Sequence, residues 1–136
     1  MCIFCKILNG EIPSYKIYED EYTYAFLDIA DDYEGHTLVI PKEHYENVLD
    51  LPTELLQKVI ATTQLVAKHY VDNCGFSGVN ICNASGVDAE QSVFHLHFHI
   101  LPRKKDDGRK HWVNYDKLNS DMLALCEKLQ DRKSVV

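Results

Sequence analysis

Apolar and polar residues alternate strictly over the segment Phe94–Pro102, in which three histidines separate large apolar side chains. A period of two is typical of a strand with one buried face. Residues on the same face of a strand lie about 7 Å apart, so the three imidazoles are predicted to form a row. The apolar residues predicted to face the core are Phe94, Leu96, Phe98 and Ile100, and the residues predicted on the opposite face are His95, His97 and His99.

Four more short runs, rich in β-branched and aromatic residues, predict further strands. Asp20-Glu21 separates the first two runs as a turn would, so these runs are predicted to form a hairpin. Pro41 follows the third run, as it would follow a buried strand. The predicted strands span Tyr15–Glu19, Tyr22–Asp28, His36–Ile40 and Val79–Cys82.

One long amphipathic helix is predicted between the third and fourth of these strands. Apolar side chains recur there at three- and four-residue spacing from Leu55 to Val71, which makes one broad stripe of about five turns. Pro52 suits the first helical position, and Gly75 suits the position just after the last turn.

Two shorter helices are predicted near the ends of the chain. The first is a turn of helix within residues 2–9, and the last spans Ser120–Arg132, capped by Asn119 or Ser120. The resulting order of elements is typical of an α+β fold with a mostly antiparallel five-stranded sheet. Without repeats or linkers, residues 1–136 are predicted to form a single domain.

Composition narrows the classes of function. The 136 residues are 46% hydrophobic and carry a net charge of -7, so a nucleic-acid polymer is not an expected partner, although this charge is compatible with a small anion in a local pocket. No apolar run approaches the roughly 18 residues of a membrane span, and the first residues do not resemble a signal peptide. Five cysteines, an odd number, predict a reducing cytoplasmic location rather than a disulfide framework.

The histidine row predicts one of two chemistries. The imidazoles could share a catalytic zinc ion, as in a zinc-dependent hydrolase. Alternatively, one neutral imidazole could attack phosphorus and form a covalent intermediate. The nearby polar side chains of Asn83, Gln91 and Ser92 favour the second use, because they could donate to a phosphate. Asp28, at a strand end, could accept both hydroxyls of a ribose, although such acids more often serve in turns.

The pair Cys2-x-x-Cys5 has the spacing of half a tetrahedral zinc site. The spacing alone is a weak signal and is also common by chance. Histidines from elsewhere in the chain would have to complete the site, with His36, His44 or one member of the row as candidates.

These motifs resemble the histidine triad (HIT) hydrolases, in particular a bacterial branch related to the Hint nucleoside phosphoramidases. The run His95-Leu96-His97-Phe98-His99-Ile100-Leu101 carries the resemblance, which extends over about residues 2–103. The tail, residues 104–136, matches less well. Supporting segments are Cys2-Ile3-Phe4-Cys5-Lys6-Ile7, Phe26-Leu27-Asp28-Ile29, Gly35-His36-Thr37-Leu38-Val39-Ile40-Pro41-Lys42 and Gln91-Ser92-Val93-Phe94.

The resemblance implies a cytoplasmic homodimer that hydrolyses purine nucleotides at the α-phosphate, without a catalytic metal. A nucleotide-binding regulatory module is the non-enzymatic alternative. The tail and Trp112 would shape the side of the leaving group, whose identity stays open. The implied catalytic roles are the nucleophile for His97 and proton relay to the leaving group for His99 or Ser92. The implied binding roles are α-phosphate contact for His99, phosphate and leaving-group contacts for Ser92 and Gln91, a phosphate-side contact for Asn83, ribose contact for Asp28, support of the row for His36, and structural zinc ligation for Cys2, Cys5, His44 and His95.

Overall fold

The computed structural model describes residues 2–130. It contains three α-helices, five strands and one short 3₁₀ turn in the loop after the fourth strand. Their order is α1 Ile3–Leu8, β1 Lys16–Glu19, β2 Thr23–Leu27, β3 Thr37–Pro41, α2 Thr53–Asn73, β4 Gly78–Cys82, the 3₁₀ turn Val87–Ala89, β5 Phe98–Arg103 and α3 Met122–Leu129.

The five strands form one sheet in the order β1-β2-β3-β5-β4, and all neighbouring strands are antiparallel. The α+β architecture and the β1–β2 hairpin are therefore confirmed. Asp20 holds the hairpin turn, because its Oδ1 accepts the backbone N–H groups of Tyr22 at 2.9 Å and Thr23 at 2.8 Å. Such side-chain capping replaces the backbone partners that a turn leaves unpaired.

Both faces of the sheet are covered, by helices of very different size. The long helix α2 covers one face and forms the main core with the apolar side of β5. The short helix α1 covers part of the other face, where Phe4 packs on Phe26, Leu38 and Ile40. Because side chains alternate along a strand, β3 contributes Val39 to the first core and its two neighbours to the second.

The histidine segment differs from its prediction at its start. Strand β5 begins at Phe98 rather than Phe94, and the backbone N–H of Leu96 instead donates to the carbonyl of Tyr45 at 2.7 Å. Phe94 is 39% exposed, so its assignment to the core is wrong, whereas Leu96, Phe98 and Ile100 are buried under α2. Strict alternation overstated the strand because a residue can hold its buried position without being paired in the sheet.

Helix boundaries also moved by one or two residues. Pro52 is the N-cap of α2 and not its first helical residue. Helix α3 is capped by Asp121, whose carboxylate accepts the N–H of Ala124, and not by Asn119 or Ser120. Its predicted end at Arg132 lies outside the described residues. Within residues 2–130, no helix is both long enough and apolar enough to cross a bilayer.

Candidate active site and metal centre

His97 lies just before β5 on the face covered by α1, with 5% of its surface exposed. Its Nδ1 lies 2.8 Å from the carbonyl oxygen of His95, and a carbonyl can only accept, so Nδ1 carries the proton. The side-chain amide of Asn83 donates to the carbonyl of His97 at 3.0 Å. Burial lowers the pKa of His97 and favours the neutral ring. The second ring nitrogen, Nε2, therefore presents a lone pair.

His99 follows on β5, with its ring centroid 4.9 Å from that of His97. Its Nδ1 lies 2.9 Å from Nε2 of His36, and Nδ1 of His36 lies 2.6 Å from Oδ1 of Asp32. Burial, followed by the neighbouring histidines, lowers the pKa of His99 to about 4. A line of hydrogen-bonded groups thus runs from the surface to the ring beside His97.

Asp28 directly follows β2 and is partly buried. Its Oδ1 accepts the N–H of Ala30 at 2.9 Å, and its Oδ2 lies 3.6 Å from Nε2 of His36. The carboxylate borders a cavity of about 130 Å³ between α1 and the sheet. Apolar side chains such as Ile7 and Phe26 dominate its lining. This arrangement suits a flat apolar group that carries hydrogen-bond donors at its edge.

The polar residues upstream of the row are bound to the protein itself. Gln91 is 7% exposed, and its amide nitrogen donates to the carbonyls of Glu46 at 2.6 Å and Val93 at 3.0 Å. Its amide oxygen accepts the N–H of Gly86 at 2.9 Å. Gln91 therefore organises the loop, and its contact with substrate stays a prediction.

Asn83 and Ser92 occupy different environments in the same region. Besides its bond to the histidine segment, Asn83 accepts the hydroxyl of Ser85 at 2.8 Å through Oδ1. Ser92 is exposed. Direct contacts of either side chain with a phosphate remain predictions.

The two cysteines near the N-terminus meet two histidines from distant parts of the chain. Nδ1 of His44 lies 3.3 Å from Sγ of Cys5 and 3.1 Å from Nδ1 of His95, which in turn lies 3.5 Å from Sγ of Cys2. The four potential ligand atoms all lie within 4.8 Å of one another. The cysteine spacing left several histidines open as partners. The structure brings His44 and His95 to the two cysteines, whereas His36 lies beside Asp28 and His99.

A hydrogen bond to the backbone determines which ring nitrogen of His95 faces the cysteines. Its Nε2 lies 2.9 Å from the carbonyl oxygen of Pro41, so Nε2 donates and Nδ1 keeps its lone pair toward the cysteines. A metal-binding histidine is usually held by such a bond from its other nitrogen. Burial, and then the neighbouring Cys2, raise the pKa of the Cys5 thiol. A bound divalent cation would favour the thiolate instead.

Sequence patterns missed two features of this site. Asp32 gave no periodic signal, although its position four residues before His36 was a local hint. The cavity beside Asp28 was not predicted because it depends on how α1 packs on the sheet. The two remaining histidines lie outside these groups: His69 is an exposed residue of α2, and His111 is a loop residue whose Nε2 lies 3.8 Å from Sγ of Cys82.

Comparisons with known proteins give a consistent result. The family model described as HIT domain matches residues 9–106. An adenosine 5'-monophosphoramidase from Saccharomyces cerevisiae is 41% identical over 135 residues, which are 95% of this chain and 83% of that protein. A crystal structure of a HIT family member from Bacillus subtilis is 42% identical with a TM-score of 0.83, covering 96% of each chain. A zinc-bound histidine triad family protein from Mycobacterium smegmatis is 35% identical with a TM-score of 0.77, covering 98% of this chain and 96% of that one.

Proposed function

Because the chain belongs to the HIT domain family, we propose that it is a nucleotide hydrolase acting on nucleoside phosphoramidates or dinucleoside polyphosphates at the α-phosphate. The yeast relative, an adenosine 5'-monophosphoramidase, supports this reaction class. The single observation that carries the proposal is the fixed tautomer of His97, whose Nδ1 donates to a backbone carbonyl and whose Nε2 is left as a nucleophile.

The nucleoside fits the cavity under α1. A purine base would occupy the apolar slot of about 130 Å³, and the Asp28 carboxylate at its border would accept the two ribose hydroxyls. The row of histidines lies on the same face of the sheet, since Leu38 of the slot pairs directly with His99 across the strands. The α-phosphate would then lie over His97 and His99.

The proposed reaction has two displacements. First, Nε2 of His97 attacks the α-phosphorus, a P–N bond forms, and the bond to the leaving amine or phosphate breaks. The leaving group takes up a proton, supplied through His99 or Ser92. Second, water attacks the same phosphorus, the bond to Nε2 breaks, and a nucleoside monophosphate leaves with the oxygen of that water. Asn83 and Gln91 would support the phosphate through the loop that they hold.

Mass spectrometry provides the decisive test. We expect the intact protein, mixed with adenosine phosphoramidate and quenched in alkali, to gain the mass of one adenylyl group on His97. His97→Asn should bind the nucleotide without turnover, because an Asn amide can still donate to the His95 carbonyl but has no second ring nitrogen. His69→Asn, on the exposed surface of α2, is the matched control and should react like the wild type.

Three results would contradict the proposal. These are turnover by His97→Asn, an adduct on another residue, or a wild type that binds nucleotide without ever hydrolysing it. The last result would favour the regulatory binding module. Immediate loss of activity on metal removal from the folded protein would favour the zinc-dependent mechanism instead.

We also propose a structural zinc ion held by Cys2, Cys5, His44 and His95. Tetrahedral zinc with its usual bond lengths separates neighbouring ligand atoms by roughly 3.3–3.8 Å. The nitrogen–sulfur distances of 3.3 Å for His44 and Cys5, 3.5 Å for His95 and Cys2, and 3.6 Å for His95 and Cys5 match this geometry. The zinc-bound mycobacterial relative supports the choice of metal. Cysteines bind zinc only in the reduced form, so this site also supports a cytoplasmic location, where thiols stay reduced.

Elemental analysis tests the metal directly. Purified protein is expected to contain one zinc per chain, and Cys5→Ser is expected to lose most of it. Cys74→Ser, which removes an exposed thiol, is the matched control and should retain the metal. A zinc-free, fully folded wild type, or equal zinc content in both variants, would contradict the site.

We further propose that two copies of the chain join through strand β4. This strand forms one edge of the sheet; its Ile81 and the α2 residues Ile60 and Val71 are each at least 38% exposed. The opposite edge, β1, is exposed but carries ion pairs of Glu19 with lysines, which disfavour strand addition.

Sedimentation equilibrium tests this interface. Ile81→Lys should shift the wild-type dimer to a monomer, because the substitution places a charge in the apolar contact. Leu118→Lys adds the same charge at a 91% exposed position of the tail and should leave the dimer intact. A monomeric wild type, or a dimer unaffected by Ile81→Lys, would contradict the proposed interface.

A further inference from the structure

The carboxylate of Asp32 closes a line of hydrogen bonds that reaches the proposed phosphate site. Its Oδ1 lies 2.6 Å from Nδ1 of His36, and Nε2 of His36 lies 2.9 Å from Nδ1 of His99. The side chain of Asp32 is 53% exposed, whereas that of His36 is 6% exposed. A surface acid is thus connected through one buried ring to a ring beside the proposed nucleophile.

This order of partners determines which nitrogens carry protons. An ionised carboxylate only accepts, so Nδ1 of His36 must donate to Asp32. Neutral His36 then has a lone pair on Nε2 and accepts from Nδ1 of His99. The remaining nitrogen of His99, Nε2, is the one that can face a substrate. Without the carboxylate, His36 is free to adopt the opposite tautomer and reverse the whole line.

Electrostatics agree with a close pairing of the acid and the ring. Partial burial acts to raise the pKa of Asp32, but the hydrogen bond and the electrostatic attraction of His36, together with backbone hydrogen bonds at Asp32 and Tyr33, outweigh burial and lower the pKa overall. The charges of Asp28 and then of Asp32 favour the protonated form of His99, although burial and the other histidines outweigh them and lower its pKa overall. The other titratable groups next to His36 are Asp28 and Tyr33, and those next to His99 are Cys82 and His97.

The loop that carries Asp32 is held from the C-terminal side of the chain. Arg109 donates from Nε to the carbonyl of Asp32 at 2.6 Å. The Tyr33 ring meets the His36 ring edge-on with centroids 6.2 Å apart, and the guanidinium of Arg103 lies 5.6 Å above the Tyr33 ring. These contacts keep an exposed acid in one place, which a simple surface residue does not require.

We propose that Asp32 is a positioning residue for the reaction: it fixes the tautomer of His36, orients His99 through it, and balances the positive charge that His99 carries whenever its Nε2 is protonated and donates to the phosphate. This inference rests on the proposed hydrolase function. It assigns to Asp32 no contact with substrate. In a catalytic triad, an acid orients the catalytic imidazole by direct contact. Here Asp32 would act in the same way on His99, but through the intervening ring of His36.

Nitrogen NMR of the imidazoles tests the assignment without any substrate. In the wild type, ¹⁵N shifts should show His36 protonated at Nδ1 and unprotonated at Nε2. Asp32→Asn should move His36 toward the other tautomer and alter His99 with it. Asp31→Asn is the matched control, because it removes the same charge from the same loop at a backbone φ of 49° that Asn accepts readily. An unprotonated Nδ1 in wild-type His36, or an unchanged tautomer in Asp32→Asn, would overturn the proposal.

Steady-state kinetics with adenosine phosphoramidate gives the second readout. Asp32→Asn should lower kcat by about 10–100-fold, as loss of an orienting partner typically does. KM should change by less than about twofold, since the residue does not touch the substrate. A kcat within about twofold of the Asp31→Asn value would also overturn the proposal. If the wild type itself does not hydrolyse the phosphoramidate, the proposed function fails, while the NMR result still decides the role of Asp32.

Discussion

Replacing Gly35 by Ala tests the packing that holds the loop before His36. Gly35 has φ of +75°, and a Cβ added there would lie 3.3 Å from Cγ of Pro102 and 3.4 Å from Cζ of Phe76. The proline ring is part of β5 and cannot rotate away. The substitution therefore combines an unfavourable backbone conformation with a contact that is too close.

Three contributions set the expected change in the free energy of unfolding. A left-handed backbone costs a residue with a Cβ about 1–2 kcal/mol. Overpacking of a filled site costs about 1–3 kcal/mol. Loss of freedom in the unfolded chain offsets about 0.4–1 kcal/mol of these costs. We expect Gly35→Ala to lower the free energy of unfolding by a net of about 1–4.5 kcal/mol, with a midpoint of about 3 kcal/mol.

Gly10→Ala is the matched control. Gly10 has φ of +79°, close to that of Gly35, but an added Cβ would meet no atom within 4 Å. The control should therefore lose only about 1 kcal/mol, which reports the backbone effect alone. Urea unfolding at a fixed zinc concentration measures both values, and an unchanged m-value would show that the unfolded states are comparable.

The activity of Gly35→Ala adds a functional readout. Because Gly35 precedes His36, a shifted loop should also lower kcat, whereas Gly10→Ala should not. Equal destabilisation of the two variants would refute the contact argument. It would mean that Pro102 and Phe76 move aside without cost.

Three more predictions concern buried polar contacts and the proposed zinc site. Tyr70→Phe should cost about 1 kcal/mol in urea unfolding, because Thr37 Oγ1 donates to a carbonyl at 2.8 Å and must accept the Tyr70 hydroxyl at 2.6 Å. Gln91→Ala should destabilise by about 1–3 kcal/mol, since it leaves inward-facing backbone groups unpaired; wild-type stability would show that Gln91 serves substrate only. A chelator should lower the melting temperature of the wild type but not of Cys5→Ser, and an equal shift in both would argue against zinc at this site.

Local pattern was sufficient for most of the fold. Alternation and three- to four-residue spacing report whether a short segment has one buried face, and this property is decided within a few residues. The α2 helix, the β1–β2 hairpin and the antiparallel sheet were therefore predictable. The strand prediction was wrong for the segment before β5, because the backbone of Leu96 pairs with a loop at Tyr45 and not with a neighbouring strand.

The chemistry of the site was predictable only in part. The sequence by itself determined the residue types: three alternating histidines, a Cys-x-x-Cys pair and an acid after a strand. The tertiary structure alone decided which ring nitrogen of each histidine is available, because its partners, such as Pro41 for His95 and Asp32 for His36, are set by folding. Folding also turned the Gln91 side chain inward and placed Cys5 next to His44, which lies 39 residues later in the sequence. Hydrogen bonds and metal geometry depend on distances between remote segments, and periodicity along the chain contains no information about those distances.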